Sequence, residues 1–472
     1  MRKRLFSLFV ATLFVLVAMA EGQVKYVFYF IGDGMGVNQI NVTETYLAAL
    51  KGRIGIERIT MSDFPVVGVV NTYSATNGVT DSAAGGTALA SGKKTKNGAI
   101  GVLEDLVTPC SSIAAWAKQS GKAVGVATNV AITHATPASF YGHQRHRDMY
   151  YEIGQDLCKS GYDFFAGADF HRPYTKEGEP SLREQAKAAG YTILTGGYKE
   201  YLKRGRKAEK LIMFQSDEQN KKLGSDHLPY ALDQDKDDLT LEQIVRAGIN
   251  FLNSKGTDGF FFQIEGGMID YACHRNDIGN AINEVLDLDK AVKVAYEFYQ
   301  QHPDETIIVI SADHETGGLV MGTGSYELHT DLLKYQTRSI DETKWILQQM
   351  YKKNPKKFTR AEVDKQLQAL LGIGGGISLS DRQKERIDGR WEAIEKAIAE
   401  DNKVNDRIND LCDVCKRILS EVSHISWASG GHSNGYVPVY AVGPGTEVFQ
   451  GRIDNIEIAP NMARIAGYTI DD

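Results

Sequence analysis

The sequence is poor in proline and cysteine and has no excess of basic residues. Only 11 of its 472 residues are proline, which excludes a collagen-like or proline-rich linker protein. Its 53 lysines and arginines are outnumbered by 60 aspartates and glutamates, which gives a formal net charge of −7. Because nucleic-acid-binding proteins usually carry a basic surface, this balance argues against an obligate nucleic-acid partner.

The first twenty residues have the pattern of a secretory signal peptide. Three basic residues at positions 2–4 precede an apolar stretch at 5–19. The small residues at positions 18 and 20 match the cleavage-site pattern that signal peptidase recognises. We therefore predict a signal peptide over residues 1–20 and a periplasmic or secreted protein. No later run is long and apolar enough to cross a bilayer, so we expect no membrane attachment after cleavage. An uncleaved N-terminal anchor is the alternative.

The cysteine count is odd, which limits disulfide formation. The chain has 5 cysteines, so at least one thiol is free or pairs outside the chain. Cys412 and Cys415 form a Cys-x-x-Cys motif without a second pair to complete a zinc site. Two interpretations stay open for this motif, a local disulfide or two free thiols.

From residue 24 onwards, apolar runs alternate with amphipathic stretches. This alternation predicts an α/β fold with a central, mostly parallel sheet sandwiched by helices. The clearest strands are predicted at residues 24–31, 123–127, 259–264, 306–310 and 437–442. The clearest helices are predicted at residues 112–119, 239–253 and 280–301.

Residues 335–422 have a different composition from the rest of the chain. Acidic and basic side chains alternate there with helical periodicity, as on a solvated helix surface. We predict a helical insertion or cap in the C-terminal third of a single domain that spans residues 21–472. A separate binding module is the alternative.

Polar clusters follow four of the five predicted strands. In open α/β sheets, ligands bind beyond the carboxyl ends of the strands. We therefore expect these clusters to meet at one edge of the sheet, although they are far apart in the chain. They are Gly32-Asp33-Gly34, Thr133-His134-Ala135-Thr136, Glu265-Gly266-Gly267 and Ser311-Ala312-Asp313-His314.

Asp33 lies in a glycine-rich turn, residues 32–36, directly after an apolar strand. A glycine-rich turn in this position can bind a dinucleotide. However, the spacing of the glycines differs from that of the dinucleotide-binding motif, and a carboxylate in the turn would repel the pyrophosphate. A metal-binding aspartate between glycines that allow close backbone approach fits the motif better.

Ser82 begins a run of small residues that suits a tightly packed helix. A serine at the start of a helix is most often a cap. The alternative is a nucleophile whose alkoxide is stabilised by the helix N-terminus and by a metal ion. In that case no histidine base is needed beside it.

Further candidate ligands lie between Glu265 and His432. Asp270 and His274 are four residues apart, so on a helix they share a face and can hold one cation. A helix cap and a buried histidine are the structural alternatives for this pair. Asp313 and His314 form a second acid and imidazole pair, whereas we expect Cys273 to be a buried hydrophobic residue.

These motifs together supply nitrogen and oxygen ligands for more than one metal ion. Imidazole and carboxylate ligands together suit zinc, and the part of this ligand set that is rich in oxygen suits magnesium. The seven candidate ligands are Asp33, Glu265, Asp270, His274, Asp313, His314 and His432. The other histidines look like surface or packing residues, namely His143, His146, His171, His227, His302, His329 and His424.

As a set, the motifs resemble those of the alkaline phosphatases in order and context. The resemblance covers residues 24–468, with residues 335–422 as the least similar part. It is carried by Gly32 to Gly36, Thr80-Asp81-Ser82-Ala83-Ala84, His134-Ala135-Thr136-Pro137, Glu265 to His274, Ala312-Asp313-His314 and Gly431-His432.

The resemblance implies a homodimeric phosphomonoesterase with two zinc ions and one magnesium ion. It implies that Asp270, His274 and His432 hold the first zinc, which activates the hydrolytic water. Asp33, Asp313 and His314 would hold the second zinc, which also coordinates the oxygen of Ser82. Asp33, Thr136 and Glu265 would hold the magnesium. Arg147 would grip two phosphate oxygens, although spacing alone does not choose it over Arg145.

The implied reaction is attack by Ser82 on a phosphate monoester, with a phosphoserine intermediate and release of inorganic phosphate. Asp81, His134 and Tyr271 would lie around the metals and the phosphate. Two of these positions depart from the common family pattern. Many bacterial members have an aspartate in place of His134, and a lysine or histidine is usual in place of Tyr271.

Three other functions are alternatives to a phosphomonoesterase. A phosphodiesterase would lack the arginine that binds two free phosphate oxygens, and a sulfatase would use a modified nucleophile in a different motif. The third alternative is a periplasmic module that binds phosphate or metal without turnover. The presence of Arg147 and of the Asp81-Ser82 pair favours hydrolysis of monoesters.

Overall fold

A computed structural model describes residues 24–172, 178–324 and 326–471. The predicted signal peptide at residues 1–20 lies outside these residues. Among the described residues, no helix has both the length and the apolar character needed to span a bilayer.

The centre of the described chain is a ten-stranded sheet. Its strand order is β14-β2-β13-β8-β1-β7-β3-β4-β6-β5, and β13 alone runs antiparallel to its neighbours. Four short strands form two separate pairs, β10 with β11 and β9 with β12. The strands are β1 Tyr26–Gly32, β2 Val66–Asn71, β3 Ala123–Thr128, β4 Phe164–Gly167, β5 Tyr191–Thr195, β6 Lys210–Phe214, β7 Phe260–Gly266, β8 Thr306–Ser311, β9 Glu315–Thr316, β10 Leu319–Met321, β11 Ile425–Trp427, β12 His432–Ser433, β13 Val437–Val442 and β14 Gly451–Asp454.

The central strands are buried along their whole length. Every residue of β3, β7, β8 and β13 is buried, which explains why these segments read as continuous apolar runs. All five predicted strands are present within one or two residues of their predicted ends. The prediction of a mostly parallel sheet is confirmed.

Helices cover both faces of the sheet. The predicted helix at 112–119 is α3, capped by Ser112, and the predicted helix at 239–253 is α9, capped by Thr240. Six short 3-10 helices supplement the α-helices. The α-helices are α1 Val37–Leu50, α2 Ser82–Ser91, α3 Ile113–Gln119, α4 Ala135–Ala138, α5 Tyr150–Ser160, α6 Leu182–Ala188, α7 Gly197–Arg204, α8 Asp217–Leu223, α9 Leu241–Asn253, α10 Met268–His274, α11 Ile278–Tyr299, α12 Ile340–Lys353, α13 Arg360–Leu371, α14 Asp381–Ala399, α15 Val404–Ser423 and α16 Ile458–Ala466.

The predicted helical insertion consists of the four helices α12 to α15. They enclose a second hydrophobic cluster, which includes Leu347, Leu367, Ile394 and Ile408. This cluster continues onto Ile278 of α11, so the insertion is packed against the body of the protein. Beside it, β10 pairs with β11 and thereby joins the segments before and after the insertion.

The Cys-x-x-Cys motif lies inside α15. Cys412 and Cys415 are both buried and both free thiols, which agrees with the second of the two interpretations of this motif. Cys273 is also buried, as expected of a small hydrophobic residue.

Candidate active site

The polar clusters meet at one edge of the sheet, as the sequence predicts. Asp33 follows β1, Glu265 lies near the end of β7, and Asp313 follows β8. The strand register places Ile31 of β1 opposite both Glu265 and Ser311. Because these strands are parallel and end at the same level, the three carboxylates come together.

A first group of ligand atoms is formed by Asp270, His274 and His432. The His274 Nε2 lies 3.2 Å from the Asp270 Oδ2 and 3.2 Å from the His432 Nε2. The Nδ1 atoms of the two histidines lie 2.6 Å from the Gly430 carbonyl oxygen and 2.8 Å from the Thr80 carbonyl oxygen. Since a carbonyl oxygen only accepts, each Nδ1 donates, and both Nε2 atoms point at each other. A proton or a metal ion must therefore lie between them.

A second group is formed by Asp33, Asp313 and His314, all with no exposed surface. The His314 Nε2 lies 3.4 Å from the Asp33 Oδ1 and 3.4 Å from the Asp313 Oδ2. Ligands of tetrahedral zinc are about 3.3 Å apart when the bonds are about 2.0 Å long. The spacing within both groups fits a zinc ion.

A third group is formed by Asp33, His134 and Glu265. Each has a buried atom without a hydrogen-bond partner among the described residues, namely the Asp33 Oδ1, the His134 Nδ1 and the Glu265 Oε1. Thr136 donates a hydrogen bond of 3.2 Å to the other oxygen of Asp33, and Thr128 donates one to the Glu265 Oε2. Unpartnered buried polar atoms are costly, so the presence of one on each of these three clustered side chains also fits a bound cation. The sequence did not single out Thr128.

The buried carboxylates repel one another. Burial, followed by the charge of Asp313, raises the pKa of Asp33, and burial raises the pKa of Glu265 to about 7. Asp270 differs, because the hydrogen bond with His274 and the neighbouring histidines outweigh burial and lower its pKa. Divalent cations would compensate this crowded negative charge.

Ser82 is the first residue of α2, and its neighbour Asp81 is the helix cap. The Asp81 side chain accepts a hydrogen bond of 3.0 Å from the Ala84 amide. The capping interpretation of Ser82 is therefore wrong, and its Oγ is left 3.2 Å from the His314 Nε2. Close approach of α2 depends on Gly85, because a Cβ there would lie 2.8 Å from the Asp313 carbonyl oxygen.

Arg147 lies against Asp81, next to Ser82 at the start of α2. Its Nη1 donates to the Asp81 Oδ2 over 3.2 Å, and its Nη2 lies 3.5 Å from the His134 Nε2. Arg145, which spacing alone could not exclude, is exposed. Burial, followed by the charge of Arg147, lowers the pKa of His134 to about 4, so this imidazole is neutral at neutral pH.

A group of aromatic and acidic side chains surrounds Tyr271. Its hydroxyl donates a hydrogen bond of 3.2 Å to the Asp226 Oδ2, and the other Asp226 oxygen lies 3.2 Å from the His171 Nδ1. The Tyr271 ring packs edge-on against His134 and His227. Sequence reasoning assigned His171 and His227 to surface or packing roles and did not name Asp226. No spacing signal connects His171 with Asp226 and His227, because His171 lies after β4 and the other two lie between α8 and α9.

Thr316 is a further residue that the sequence did not indicate. Its Oγ1 donates to the Asp270 Oδ1 over 2.5 Å and lies 3.2 Å from the His314 Nδ1. Thr316 thereby orients Asp270 of the first ligand group and His314 of the second. The short pair of β9 with β12 holds Thr316 opposite His432.

The fold and the three ligand groups are typical of a metal-dependent hydrolase with an open α/β sheet. The family model described as alkaline phosphatase matches residues 24–468, and the chain belongs to the alkaline phosphatase family. It is therefore a phosphoric monoester hydrolase, and the family resemblance drawn from the sequence is confirmed.

Individual relatives agree with this membership. The chain is 33% identical to alkaline phosphatase 3 of Bacillus subtilis (strain 168), over 95% of this chain and 90% of the relative. It is 29% identical to the alkaline phosphatase of Schizosaccharomyces pombe, over 95% of this chain and 82% of the relative.

Solved structures agree as well. The cold-active alkaline phosphatase of the psychrophile Shewanella sp. has a TM-score of 0.76 and 29% identity, and the match covers 93% of this chain and 99% of that one. A histidine-to-aspartate mutant of the TAB5 alkaline phosphatase, described with Mg bound in its M3 site, has a TM-score of 0.65 and 25% identity, with 95% and 99% coverage.

Proposed function

We propose that the protein is an exported phosphomonoesterase that hydrolyses phosphate monoesters through a phosphoserine intermediate, with two zinc ions and one magnesium ion. The observation that carries the proposal is the position of the Ser82 Oγ, 3.2 Å from the His314 Nε2 at the edge of the second ligand group. A serine hydroxyl beside a metal-ligating imidazole at a helix N-terminus has the environment that a nucleophile needs.

Two of the three groups have the donor set of a zinc site. Asp270, His274 and His432 would hold one zinc ion, and Asp33, Asp313 and His314 would hold the other. Each group combines imidazole nitrogen with carboxylate oxygen, which zinc accepts readily. The outward donation of the His274 and His432 Nδ1 atoms to backbone carbonyls is usual for histidines that bind metal.

The third group is richer in oxygen and would hold magnesium through Asp33, Thr136 and Glu265. His134 adds a neutral imidazole to this group. Nitrogen is a better ligand for zinc than for magnesium, so the imidazole of His134 favours zinc in the third group. Measuring which ion binds there therefore tests the magnesium assignment. In the TAB5 alkaline phosphatase, the mutant with aspartate in place of a histidine is described with Mg bound in its M3 site. The metal in the third group of the present protein can be compared with that Mg.

The chain's own residues then bind, orient and attack the substrate. Arg147 would grip two oxygens of the phosphoryl group through its planar guanidinium, and Asp81 holds that guanidinium in place. The Ser82 Oγ would attack the phosphorus in line, so that the Oγ–P bond forms as the P–O bond to the alcohol breaks, and the alcohol leaves with a proton. A water molecule would then attack the phosphorus opposite the Ser82 Oγ, which releases inorganic phosphate and restores the Ser82 hydroxyl. When bound, the metal ions would neutralise charge and lower the pKa values of the hydroxyl groups involved.

Asp226 and Tyr271 would orient His134 at the rim of the site. Burial opposes ionisation of Asp226, but the hydrogen bond with His171 and the nearby histidines outweigh burial and lower its pKa to about 2. The carboxylate is thus charged at neutral pH and accepts the Tyr271 hydrogen bond. This arrangement fixes the Tyr271 ring against His134, in the place where many relatives carry a basic side chain.

Export and assembly complete the proposal. The N-terminal pattern supports secretion, and the family resemblance supports a homodimer. N-terminal sequencing of protein collected outside the cytoplasm should begin at Glu21, and light scattering of the purified protein should give twice the mass of the mature chain. An N-terminus at Met1 or a monomer would contradict these two parts.

Substrate comparison tests the reaction itself. We expect kcat/KM for an aryl phosphate monoester to exceed that for the corresponding diester and sulfate by at least about 100-fold, since only the monoester offers two free oxygens to Arg147. In elemental analysis of protein purified without chelators, the active site should contribute about two zinc ions and one magnesium ion per chain. A faster reaction with the diester would overturn the proposed substrate class.

Replacement of Arg147 with lysine tests phosphate recognition. We expect KM for an aryl phosphate to rise roughly 10- to 100-fold, because an ammonium group cannot make the paired hydrogen bonds of a guanidinium. Steady-state kinetics measure the effect. The matched control is Arg145→Lys, two residues away and exposed, which should leave KM unchanged. Equal effects of the two substitutions would contradict the assigned role.

A further inference from the structure

A second cluster of metal-ligating side chains lies outside the active site. Glu327, His329 and His424 offer one ligand atom each, and all three atoms lie within 4.8 Å of one another. The His329 Nε2 is 3.4 Å from the Glu327 Oε2. The rings of His329 and His424 are nearly perpendicular, with centroids 5.1 Å apart. None of these residues belongs to the three ligand groups of the active site.

The cluster lies where the helical insertion joins the body of the protein. Glu327 and His329 come before α12, and His424 comes directly after the last residue of α15. Backbone hydrogen bonds already hold the two segments together, from the Gly322 amide to the His424 carbonyl oxygen at 2.9 Å and from Thr323 to the same oxygen at 3.1 Å. The adjacent pairing of β10 with β11 fixes the segments further. The backbone therefore brings the three side chains together without help from a metal.

The donor set matches zinc. Two imidazoles and one carboxylate are a common ligand set for this ion, with water completing the tetrahedron. The measured separation of 3.4 Å between the His329 Nε2 and the Glu327 Oε2 is close to the edge of a zinc tetrahedron, about 3.3 Å. Glu327 and His329 are largely exposed, so an ion can reach the site from solvent.

His424 occupies a position that favours a different residue type. Its φ of 58° and ψ of 40° are in the left-handed region at the end of α15, where glycine or asparagine is usual. Histidine is among the few other residue types that adopt this conformation readily, so the backbone accommodates His424 here. In this conformation the His424 ring lies beside the His329 ring, with the two centroids 5.1 Å apart.

We propose that Glu327, His329 and His424 bind a zinc ion that fastens the two ends of the helical insertion to each other. The ion cross-links residues 329 and 424, which closes a loop of about 95 residues. Such a cross-link stabilises the folded state because it requires ligands that only the folded chain brings together. This site is independent of the phosphatase reaction and of the metals that the reaction uses.

Zinc content of matched variants tests the proposal. The holoenzyme and its variants are dialysed to equilibrium against the same zinc-buffered solution, and zinc per chain is measured by elemental analysis. Glu327→Gln and His329→Ala should each lose about one zinc ion per chain relative to wild type. Asp331→Asn is the control, because Asp331 is a partly exposed carboxylate on the same segment and is absent from the cluster. Turnover of aryl phosphate should stay at the wild-type level in all three variants.

Thermal unfolding supplies a second measurement. Added zinc should raise the unfolding midpoint of wild type and of Asp331→Asn more than that of His424→Asn, which keeps only the active-site zinc ions and in which asparagine tolerates the left-handed backbone. Equal zinc content in wild type, Glu327→Gln and His329→Ala would overturn the proposal. A zinc loss in Asp331→Asn as large as in the cluster variants would overturn it too.

Discussion

Replacement of Ser82 with alanine is expected to lower kcat/KM for aryl phosphates by roughly 10³- to 10⁵-fold. The hydroxyl is the proposed nucleophile, and it is the oxygen that lies 3.2 Å from the His314 Nε2. The variant should form no acid-stable phosphoserine when quenched with labelled substrate. Steady-state kinetics and trapping of the labelled protein measure the two effects.

Ser91→Ala is the matched control for this experiment. Ser91 is the last residue of the same helix α2, and its Oγ donates to the Thr87 carbonyl oxygen over 2.7 Å, away from the ligand groups. We expect near-normal turnover and phosphoserine formation in this variant. Both variants should retain the wild-type metal content. Normal turnover by Ser82→Ala would exclude Ser82 as the nucleophile.

Removal of divalent metals is expected to abolish activity and to make stability depend on pH. Without cations, Asp33, Asp313 and Glu265 share a buried space, and the pKa of each is raised. For Glu265 the rise is from 4.5 to about 7 and is due chiefly to burial. Each pKa unit corresponds to about 1.4 kcal/mol. Between about pH 4.5 and about pH 7, Glu265 alone therefore changes the free energy of unfolding by ~3 kcal/mol.

The direction of this pH dependence of stability follows from how tightly the folded protein binds protons. Because the pKa of Glu265 is higher in the folded state, the folded protein holds this proton more tightly than the unfolded chain does. The stabilisation is complete below about pH 4.5 and is lost as pH rises to about 7. His134 acts in the opposite sense, since its pKa falls from 6.5 to about 4. The contribution of Glu265 must therefore be isolated with a variant.

Metal-free Glu265→Gln provides that isolation. The difference in unfolding free energy between metal-free wild type and this variant should shrink or reverse by ~3 kcal/mol between pH 4.5 and pH 8, because only wild type loses the tightly held proton. Chemical denaturation at the two pH values measures it. Reconstitution with zinc and magnesium should restore activity to wild type. A pH-independent difference between the two metal-free proteins would contradict the argument.

The central part of the fold could be predicted from sequence because its strands are buried on both faces. β1, β3, β7, β8 and β13 appear as continuous apolar runs, and their predicted ends are correct to within two residues. The outer strands were missed. β4 has only four residues and β2 alternates between buried and exposed positions, so neither stands out as a long apolar run.

Within the active site, sequence reasoning found the residues that occur in motifs and missed those that do not. Asp33, Asp270 and His314 lie in short patterns whose chemistry is readable, and the structure brings them into ligand groups. Asp226 and Thr316 have no such pattern. Their contacts with Tyr271 and Asp270 exist only because separate loops fold to the same place.

The sequence by itself determined the type of fold and the family, and it predicted a set of candidate active-site residues. These properties depend on local order along the chain, such as apolar runs, helical spacing and motifs. The tertiary structure alone decided that Asp81 and not Ser82 caps α2. It also placed Arg147, which the family resemblance named, against Asp81. It also joined His329 to His424 across the helical insertion. The physical reason is that these distances depend on packing between segments far apart in the chain, which no local pattern encodes.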